Sequence, residues 1–382
     1  MTGSILTVNC GSSSVRVACF APRLAWRAHL SGIGRAKAQL TIERAGESKT
    51  IDQEPAGDHR QALEALFNAA PPAAPVAIGH RVVHGGIDFV APTLLQPDIE
   101  ARLLELAAAA PLHQTANLAG IAAARARWPR SPHIACFDTA FHANLPKAAA
   151  MMALPRDLFA AGVRRFGFHG LSIASILAAL RRDGVDVGRE RLIVAHLGAG
   201  ASISAIRSGR SIETSMGFSP VSGLPMATRS GDIDPGAVMH LLRGGLSVNQ
   251  VEDLLYRRSG LLGISGLSAD MAELLTSTEA GASEAVDVFC QSGRRWLAGL
   301  AGVLGGVDRV VFTGGIGENA PRIRANICAG LAFMGLTLDA ARNELGACVI
   351  SSAAAAAIVE VRKSDEEGEI ARQTQALLTG PG

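Results

Sequence analysis

The sequence predicts an α/β fold made of two related domains, each a mixed sheet flanked by helices. Three observations lead there. Ile5, Leu6 and Val8 form an apolar strand that runs into the turn Asn9-Cys10-Gly11-Ser12-Ser13-Ser14, and Val15, Val17 and Cys19 leave it with strand periodicity. The same plan returns where 192–197 meets Gly198-Ala199-Gly200-Ala201-Ser202 and continues through Ile203 and Ile206. Strands and helices alternate along the rest of the chain, so the sheets should be mixed and covered by helices.

A Gly-Ser turn between antiparallel strands points backbone N–H groups and hydroxyls at one spot, which suits a phosphate. It is not a P-loop, because no Gly-Lys-Ser/Thr and helix follow. A third glycine loop, Gly314-Gly315-Ile316-Gly317-Glu318-Asn319, follows the strand Val310-Val311-Phe312 and should precede a helix from Ala320 or Pro321. Its N–H groups and the helix N-terminus would then favour an anion. Three such loops, two of one plan, suggest a duplicated domain with a polyphosphate between the halves. A doubly wound dinucleotide-binding fold would open a helix directly from its glycine turn, and neither hairpin does.

In chain order, 1–20 read as a hairpin and 38–52 as edge strands around a turn at Gly46. His59 to Ala70 is a helix closed by Pro71 and Pro72, and Pro75 to Val83 is a strand. Asp98 to Ala110 is helical and stops at Pro111. His133 to Phe137 is a buried strand and Leu171 to Arg182 a helix. After the second hairpin comes a loop-rich run, Ser215 to Pro235, then the helix Gly236 to Arg243. Asp287 to Gly305 makes a long helix, Ala353 to Ala357 a low-complexity helix or packed small residues, and 366–378 a final helix.

At 382 residues the chain fits two domains of ordinary size. With 48% hydrophobic and 18% charged residues it is not a disordered chain. A net charge of +2 without a dense Lys/Arg run gives no reason to expect a nucleic-acid or membrane partner. Apolar stretches are interrupted before the ~18 residues of a membrane span, and the start carries no basic-then-apolar leader. The six cysteines are scattered without a CxxC pair and read as small core residues of a reducing compartment. The expected location is the cytoplasm.

Several clusters carry chemistry. Arg81, at a strand end ahead of Gly85-Gly86, is placed to grip a carboxylate with its planar fork. Such a pair attracts by roughly 4 kcal/mol before desolvation, at 4 Å and a dielectric near 20, and a structural ion pair is the competing reading. His80 and His84 lack a third ligand nearby, so a metal there is not expected. Asp138 stands at the mouth of a buried strand, where active sites of α/β sheets form, or else caps the next turn. His169 lies between Phe168 and Gly170, as a core histidine or a functional one. Asp234-Pro235 has a plain explanation as helix cap and first residue, whereas Arg229 has none. Asp365-Glu366-Glu367 opens the last helix, where acids suit the dipole and a carboxylate suits Mg2+.

In order along the chain stand VNCGSSSVR, GHRVVHGG, PLHQ, FDTAFH, RFGFHG, HLGAGAS, TRSGDIDP, FTGGIGEN and DEEGEIAR. This succession, from Asn9 to Arg372, resembles the acetate kinases of the acetokinase family. The resemblance implies two ribonuclease-H-like domains of the actin/Hsp70/sugar-kinase type, with the active site in the interdomain cleft. The first would comprise 1–137 and 364–382, and the second, for nucleotide binding and dimerisation, 138–363. It also implies ATP and acetate in exchange for ADP and acetyl phosphate, with Mg2+ or Mn2+, in a homodimer. Carried over, Asn9 and Glu366 match metal positions, and Ser12, Ser14 and Arg16 line the first phosphate hairpin. Arg81 matches the carboxylate clamp, with Val83, Leu112, His113, Phe168 and Pro220 around the acceptor. Asp138 matches the active-site acid, and His169 and Arg229 the transition-state stabilisers. The nucleotide positions are His196, Leu197, Gly198, Ala199 and Gly200, then Asp270, Met271 and Ala272, and Gly315, Ile316, Gly317, Glu318 and Asn319.

A carboxylate acceptor with a pKa near 4 to 5 is already ionised at neutral pH and needs no general base. Asp138 is therefore expected to position groups or stand beside the metal. Three departures from the family concern the donor. Arg16 replaces a lysine, Ala199 and Ala201 replace Asn and Ser, and Asp270-Met271-Ala272 replaces Asp-Phe-Arg. They leave ATP as the expected donor, with pyrophosphate or another nucleotide as the alternative. One methylene in an apolar pocket discriminates by only ~1–3 kcal/mol. Val83 leans toward acetate, and a propionate or butyrate kinase is the rival. A nucleotide-driven switch of the actin or Hsp70 kind would have no use for both Arg81 and Arg229.

Overall fold

The computed structural model describes residues 3–11, 13–34, 37–53, 56–69, 74–109 and 111–380, with only the backbone for 108, 109, 111 and 112. The chain forms two compact units. The first comprises Met1–Ala143, Gly170–Ser175 and Asp365–Gly382, and the second Asn144–His169 and Ile176–Ser364. The expected division at 137 and 363 differs by two short pieces, 138–143 and 170–175, which fall in the first unit, and by Ser364, which falls in the second. Gly170 explains the second piece: its N–H donates to Asp138 O at 3.0 Å, and a Cβ there would meet that oxygen at 2.2 Å.

The first unit holds β1 (Ile5–Cys10), β2 (Ser14–Phe20), β3 (Leu24–Ser31), β4 (Ala38–Arg44), β5 (Glu47–Gln53), β6 (Ala77–Val82), β7 (Thr93–Leu94) and β8 (His133–Phe137). They form one sheet of order β5-β4-β3-β2-β1-β6-β8-β7. β1 runs antiparallel to β2 and parallel to β6, which is parallel to β8. All six residues of β1 are buried, as a central strand covered on both faces requires. Alternation sorts the side chains. Leu6, Val8, Cys10 and Ile78 pack with Ala116 and Ala124 of the helix Pro111–Arg127. Cys136 and Ile134 pack on the other face with Ile370 of the helix Glu366–Thr379. Gly79 on that face is needed because a Cβ would meet Thr374 Oγ1 at 2.3 Å and Ile370 Cγ2 at 2.6 Å. Asn9, Arg81 and Asp138 continue this face at the C-terminal ends of β1, β6 and β8.

The second unit holds β9 (Leu192–Leu197), β10 (Ala201–Arg207), β11 (Arg210–Thr214), β12 (Arg309–Thr313) and β13 (Ile358–Val361), in the order β11-β10-β9-β12-β13. β9 is antiparallel to β10 and parallel to β12, and β12 is parallel to β13. The run β3-β2-β1-β6-β8 has the same order and directions, so the duplication read from the two hairpins is present in the backbone. Val310, Val311 and Phe312 are 0% exposed, each worth roughly 1.5–3 kcal/mol of burial. The 25-residue helix Ala280–Leu304 covers this sheet, with Val286, Phe289, Leu297 and Leu300 buried.

Several elements depart from the sequence reading. β3 and β11 were not anticipated, nor were the helices Val248–Arg257, Gly260–Ser265 and Met271–Thr276. Pro111 opens a 17-residue helix instead of closing one, because a first-turn proline loses no helical hydrogen bond. The long helix starts at Ala280, before Asp287. Residues 353–357 form turns. The third glycine loop is itself the helix Gly314–Asn319, followed by a second, Pro321–Cys328. Gly314 makes this possible: its φ is +79°, and a Cβ would meet Leu197 O at 2.7 Å. Pro71 and Pro72 lie outside the described residues.

Candidate active site

In the first unit three strand ends and the start of the helix Glu366–Thr379 bring together a cation, an amide and three acids. Arg81 donates from Nε and Nη2 to Asp138 Oδ2 at 3.1 and 2.6 Å, and from Nη1 to Asn9 Oδ1 at 3.1 Å. Asn9 Nδ2 donates to Glu366 Oε2 at 3.0 Å and Glu367 Oε1 at 3.2 Å. Glu366 lies 3.8 Å from Arg81 Nη1. Arg16, opposite Asn9 in the β1–β2 ladder, lends its charge to Glu367.

This cluster carries more negative charge than Arg81 neutralises. Burial pushes the Asp138 carboxyl up to about 6, against the pull of the Arg81 guanidinium and with a further push from Glu366. Burial and the neighbouring Glu366 likewise raise Glu367. Asp138 and Glu366 hold Arg81 firmly protonated despite its burial. Asp138 Oδ1 is buried with no hydrogen-bond partner, which costs about 1–3 kcal/mol. Crowded oxygen donors, elevated carboxyls and an orphaned Oδ1 are what a hard cation would relieve. Among the described residues no group of three or more His, Cys, Asp or Glu forms a ready cage. Mg2+ asks for less, one or two carboxylates and several waters, so Asn9 and Glu366 fit it.

The second unit brings together His169, His196, Arg229 and the second glycine turn. His169 precedes the helix Gly170–Arg182 with φ +59°, a left-handed conformation that is strained for a residue with a side chain. Its Nδ1 is 2.9 Å from Ser202 Oγ, and its ring stacks on His196 at 4.2 Å. A Cβ built on Gly200 would meet His169 Nε2 at 3.2 Å and Arg229 Nη2 at 3.6 Å. Arg229 Nη1 donates to Pro220 O at 2.8 Å. The Arg229 loop is fixed by its backbone: Met226 N–H donates to Arg229 O at 3.0 Å, and Ala227 N–H to Ala199 O at 3.1 Å. Gly260, at φ +62°, allows this, since a Cβ would meet Met226 O at 2.1 Å and Arg229 O at 2.6 Å.

The glycine loops differ from expectation in where their amides go. Gly11 N–H donates to Ser14 O at 2.8 Å and Gly198 N–H to Gly200 O at 3.0 Å, both closing their own turns. Gly314 N–H donates to Glu318 Oε1 at 3.0 Å, so a side-chain carboxylate, not an external anion, caps that helix. Gly315 faces open space, and its N–H is the amide of this turn nearest the second loop: a Cβ on Gly198 would lie 3.8 Å from Gly315 N. Ile316 is half-buried and Gly317 buried, while Asn319 Nδ2 donates to Gly315 O at 2.9 Å.

The other anticipated positions fall as follows. Ser12 lies outside the described residues, as does the side chain of Leu112; Ser14 opens β2. Val83 is 2% exposed and its N–H donates to Asn117 Oδ1 at 2.9 Å; His113 is half-buried. Phe168 and Leu197 are buried in the second unit, as is Pro220. Ala199 is exposed, but Ala201 is a core methyl at 0% exposure, so its departure from the family pattern lies in the core and not among the loop's donors. Asp270 caps its helix through Ala272 N–H at 2.8 Å, Ala272 is exposed, and Met271 is buried at 4%, so the Met271 side chain serves packing.

Sequence reasoning missed the roles of Ser202, Asn117 and Gln114. Gln114 accepts from His84 N–H at 3.1 Å and donates to His84 O at 3.0 Å, and Asn117 Nδ2 donates to Cys10 O at 2.8 Å. Together they pin the segment after Arg81 to β1. The available signal was the amide one helical turn after Leu112-His113-Gln114. Among the described residues no helix is long and apolar enough to cross a membrane.

Comparison with known proteins gives a family and a fold. The family model described as Acetokinase family matches residues 4–372. The chain is 43% identical to the acetate kinase of Methylocella silvestris, over 99% of this chain and 98% of that one. It is 41% identical to that of Rhodopseudomonas palustris, over 100% of both. Among solved structures, Porphyromonas gingivalis acetate kinase matches with a TM-score of 0.85 at 34% identity, covering 98% of this chain and 100% of that one. A propionate kinase from Francisella tularensis matches with a TM-score of 0.89 at 34% identity, covering 98% and 99%. The chain carries their α/β fold of two mixed sheets flanked by helices, and it belongs to the acetokinase family.

Proposed function

We propose that this chain is a phosphotransferase that moves the γ-phosphoryl group of ATP to acetate, reversibly, giving acetyl phosphate and ADP. The observation that carries this reading is the convergence of His169 Nε2 and Arg229 Nη2 over Gly200. In phosphoryl transfer, charge spreads over three equatorial oxygens and the protein has little covalent chemistry to do. Pre-aimed donors at one point supply what such a transition state needs.

Arg81 takes the acceptor. A carboxylate binds a guanidinium fork edge-on, and Asp138 already occupies that fork from one side, fixing its orientation. Acetate is ionised at neutral pH, so its oxygen attacks phosphorus without giving up a proton, and Asp138 holds Arg81 instead of acting as a base. Mg2+, held through Asn9 and Glu366, would neutralise phosphate charge. Val83, Leu112, Phe168 and Pro220 are the residues for the acceptor's methyl group. ATP is the donor, through His196–Gly200, 270–272 and Gly315–Asn319, with Ser12, Ser14 and Arg16 on the phosphates. The free, mostly buried cysteines support a cytoplasmic enzyme. A homodimer through the second domain belongs to the same reading.

A hydroxamate assay tests this with acetate, propionate and butyrate as acceptors and ATP, GTP and pyrophosphate as donors. Acyl phosphate from acetate and ATP is the expected result. A higher kcat/KM for propionate or butyrate would reassign the acceptor, and turnover with pyrophosphate alone would reassign the donor. No acyl phosphate from any pairing would leave a nucleotide-driven switch as the better reading.

A further inference from the structure

His196 and Ser202 are directly opposed in the β9–β10 ladder, so their side chains leave the same face of the sheet. His169 docks on both at once, ring over ring at 4.2 Å on His196 and Nδ1 at 2.9 Å from Ser202 Oγ. Ser202 is 1% exposed. A buried hydroxyl must place its proton on an acceptor, and Nδ1 is the acceptor offered. In that arrangement Nδ1 keeps its lone pair and the ring proton sits on Nε2. This is the nitrogen that faces Gly200 beside the Arg229 guanidinium. With the proton on Nδ1 instead, Nε2 would present a lone pair to a phosphoryl oxygen and repel it.

We propose that the cross-strand pair His196–Ser202 is a positioning platform that fixes His169 in its Nε2–H tautomer, so that His169 donates to the transferred phosphoryl group. His169 touches the reacting group, whereas Ser202 acts through it. The backbone strain at His169 is consistent with a ring held by its docking and not by its helix. This inference rests on the phosphotransferase reading above and adds residues and a protonation state to it.

The test uses the full chain labelled with 15N-histidine. Long-range 1H–15N correlation reads the tautomer of each imidazole, and a His169→Gln spectrum assigns the His169 signals. The wild type should show an unprotonated Nδ1 and a protonated Nε2. Ser202→Ala should lose this fixed pattern and lower kcat about ten- to hundredfold, the scale seen when the partner behind a metal-bound histidine is lost, while KM for acetate changes less than about twofold. Ser202→Thr, which keeps the hydroxyl, should restore both. If Ser202→Thr does not fold, Ser202→Ala with a wild-type melting profile still decides. A wild-type proton on Nδ1, or an unchanged tautomer and kcat in Ser202→Ala, would overturn the proposal. A wild type that makes no acyl phosphate would instead sink the functional reading, and the tautomer measurement would stand apart from it.

Discussion

His169 and Arg229 aim at a single point: a methyl group on Gly200 would sit 3.2 Å from Nε2 of the first and 3.6 Å from Nη2 of the second. The two residues are 60 positions apart, and three separate devices set their approach. A left-handed backbone turns His169, the Ser202 hydroxyl anchors its ring, and Pro220 O takes the far end of the Arg229 guanidinium. The glycine keeps the remaining space open. Donors fixed before the reaction need no reorganisation when charge develops between them.

Arg229 should therefore matter for rate and not for folding. Its side chain is half-buried, while its loop is held by backbone hydrogen bonds that do not involve the guanidinium. Arg229→Ala is expected to lower kcat by roughly 10³ or more with an unchanged melting temperature. A loss of tenfold or less in steady-state turnover would remove Arg229 from the mechanism.

Gly200→Ala tests the same point without altering any charge. The new methyl would crowd both donors at distances tighter than ordinary van der Waals contact for His169. Expected is a kcat loss of about a hundredfold, the scale of an ångström-level misplacement, larger than any change in KM for acetate. Near-wild-type kcat would mean the space over Gly200 is not where the phosphoryl group passes.

Asp138 makes the enzyme acid-sensitive in a defined way. Its carboxyl, pushed up to about 6 mainly by burial, loses its charge as pH falls through that value, and Arg81 then loses its main anionic partner. The kcat/KM for acetate should fall below pH 6 and be flat above it. Stability should run the other way. A carboxyl titrating at about 4 when unfolded and at about 6 when folded stabilises the fold most below pH 4, and that contribution fades as pH rises through 6. Asp138→Asn should flatten both pH profiles, read by initial rates and by urea unfolding. An acid limb that survives in Asp138→Asn belongs to another group.

The first unit's cluster was legible because alternation along a strand is legible: an apolar run ending in Asn9, Arg81 or Asp138 puts a polar side chain at a strand end. Glu366 and Glu367 followed from the start of a helix. What stayed hidden depends on pairing between strands or on helices with ambiguous ends. Ser202 gains meaning only from its register against His196. Asn117 and Gln114 were missed because Pro111 reads equally as a stop or a first turn. The third glycine loop was located but misread, since a left-handed Gly314 can end a strand and begin a helix in one residue, and Glu318 then takes the capping role meant for an anion.

Glu366 should be felt in the metal requirement and in the acid limb together. It is 8% exposed, accepts from Asn9, and raises both Asp138 and Glu367. Glu366→Gln keeps the Asn9 contact geometry but removes one charge. The Mg2+ concentration for half-maximal rate should rise at least about tenfold. At saturating Mg2+, the acid limb assigned to Asp138 should move to lower pH, because a like charge has gone. An unchanged Mg2+ dependence would dismiss Glu366 as a ligand, and an acid limb moving upward would contradict the charge crowding.

Arg324 holds the third glycine helix from behind. It is 1% exposed and donates to Gly317 O and Glu318 O at 2.9 Å, to Asn343 Oδ1 at 2.8 Å and to Asn343 O at 2.7 Å. All four acceptors are neutral, and burial lowers its pKa, so the residue serves as a four-way tie and not as half of an ion pair. Arg324→Met fills much of the volume but leaves those acceptors without a donor, at about 1–3 kcal/mol for each that water cannot reach. A loss of roughly 2 kcal/mol or more in urea unfolding is expected, together with a raised KM for ATP and an unchanged KM for acetate, if Gly315–Asn319 serves the donor side as proposed. A destabilised variant with wild-type KM for ATP would show that the tie supports the fold alone, and that Gly317 and Glu318 keep their places without it.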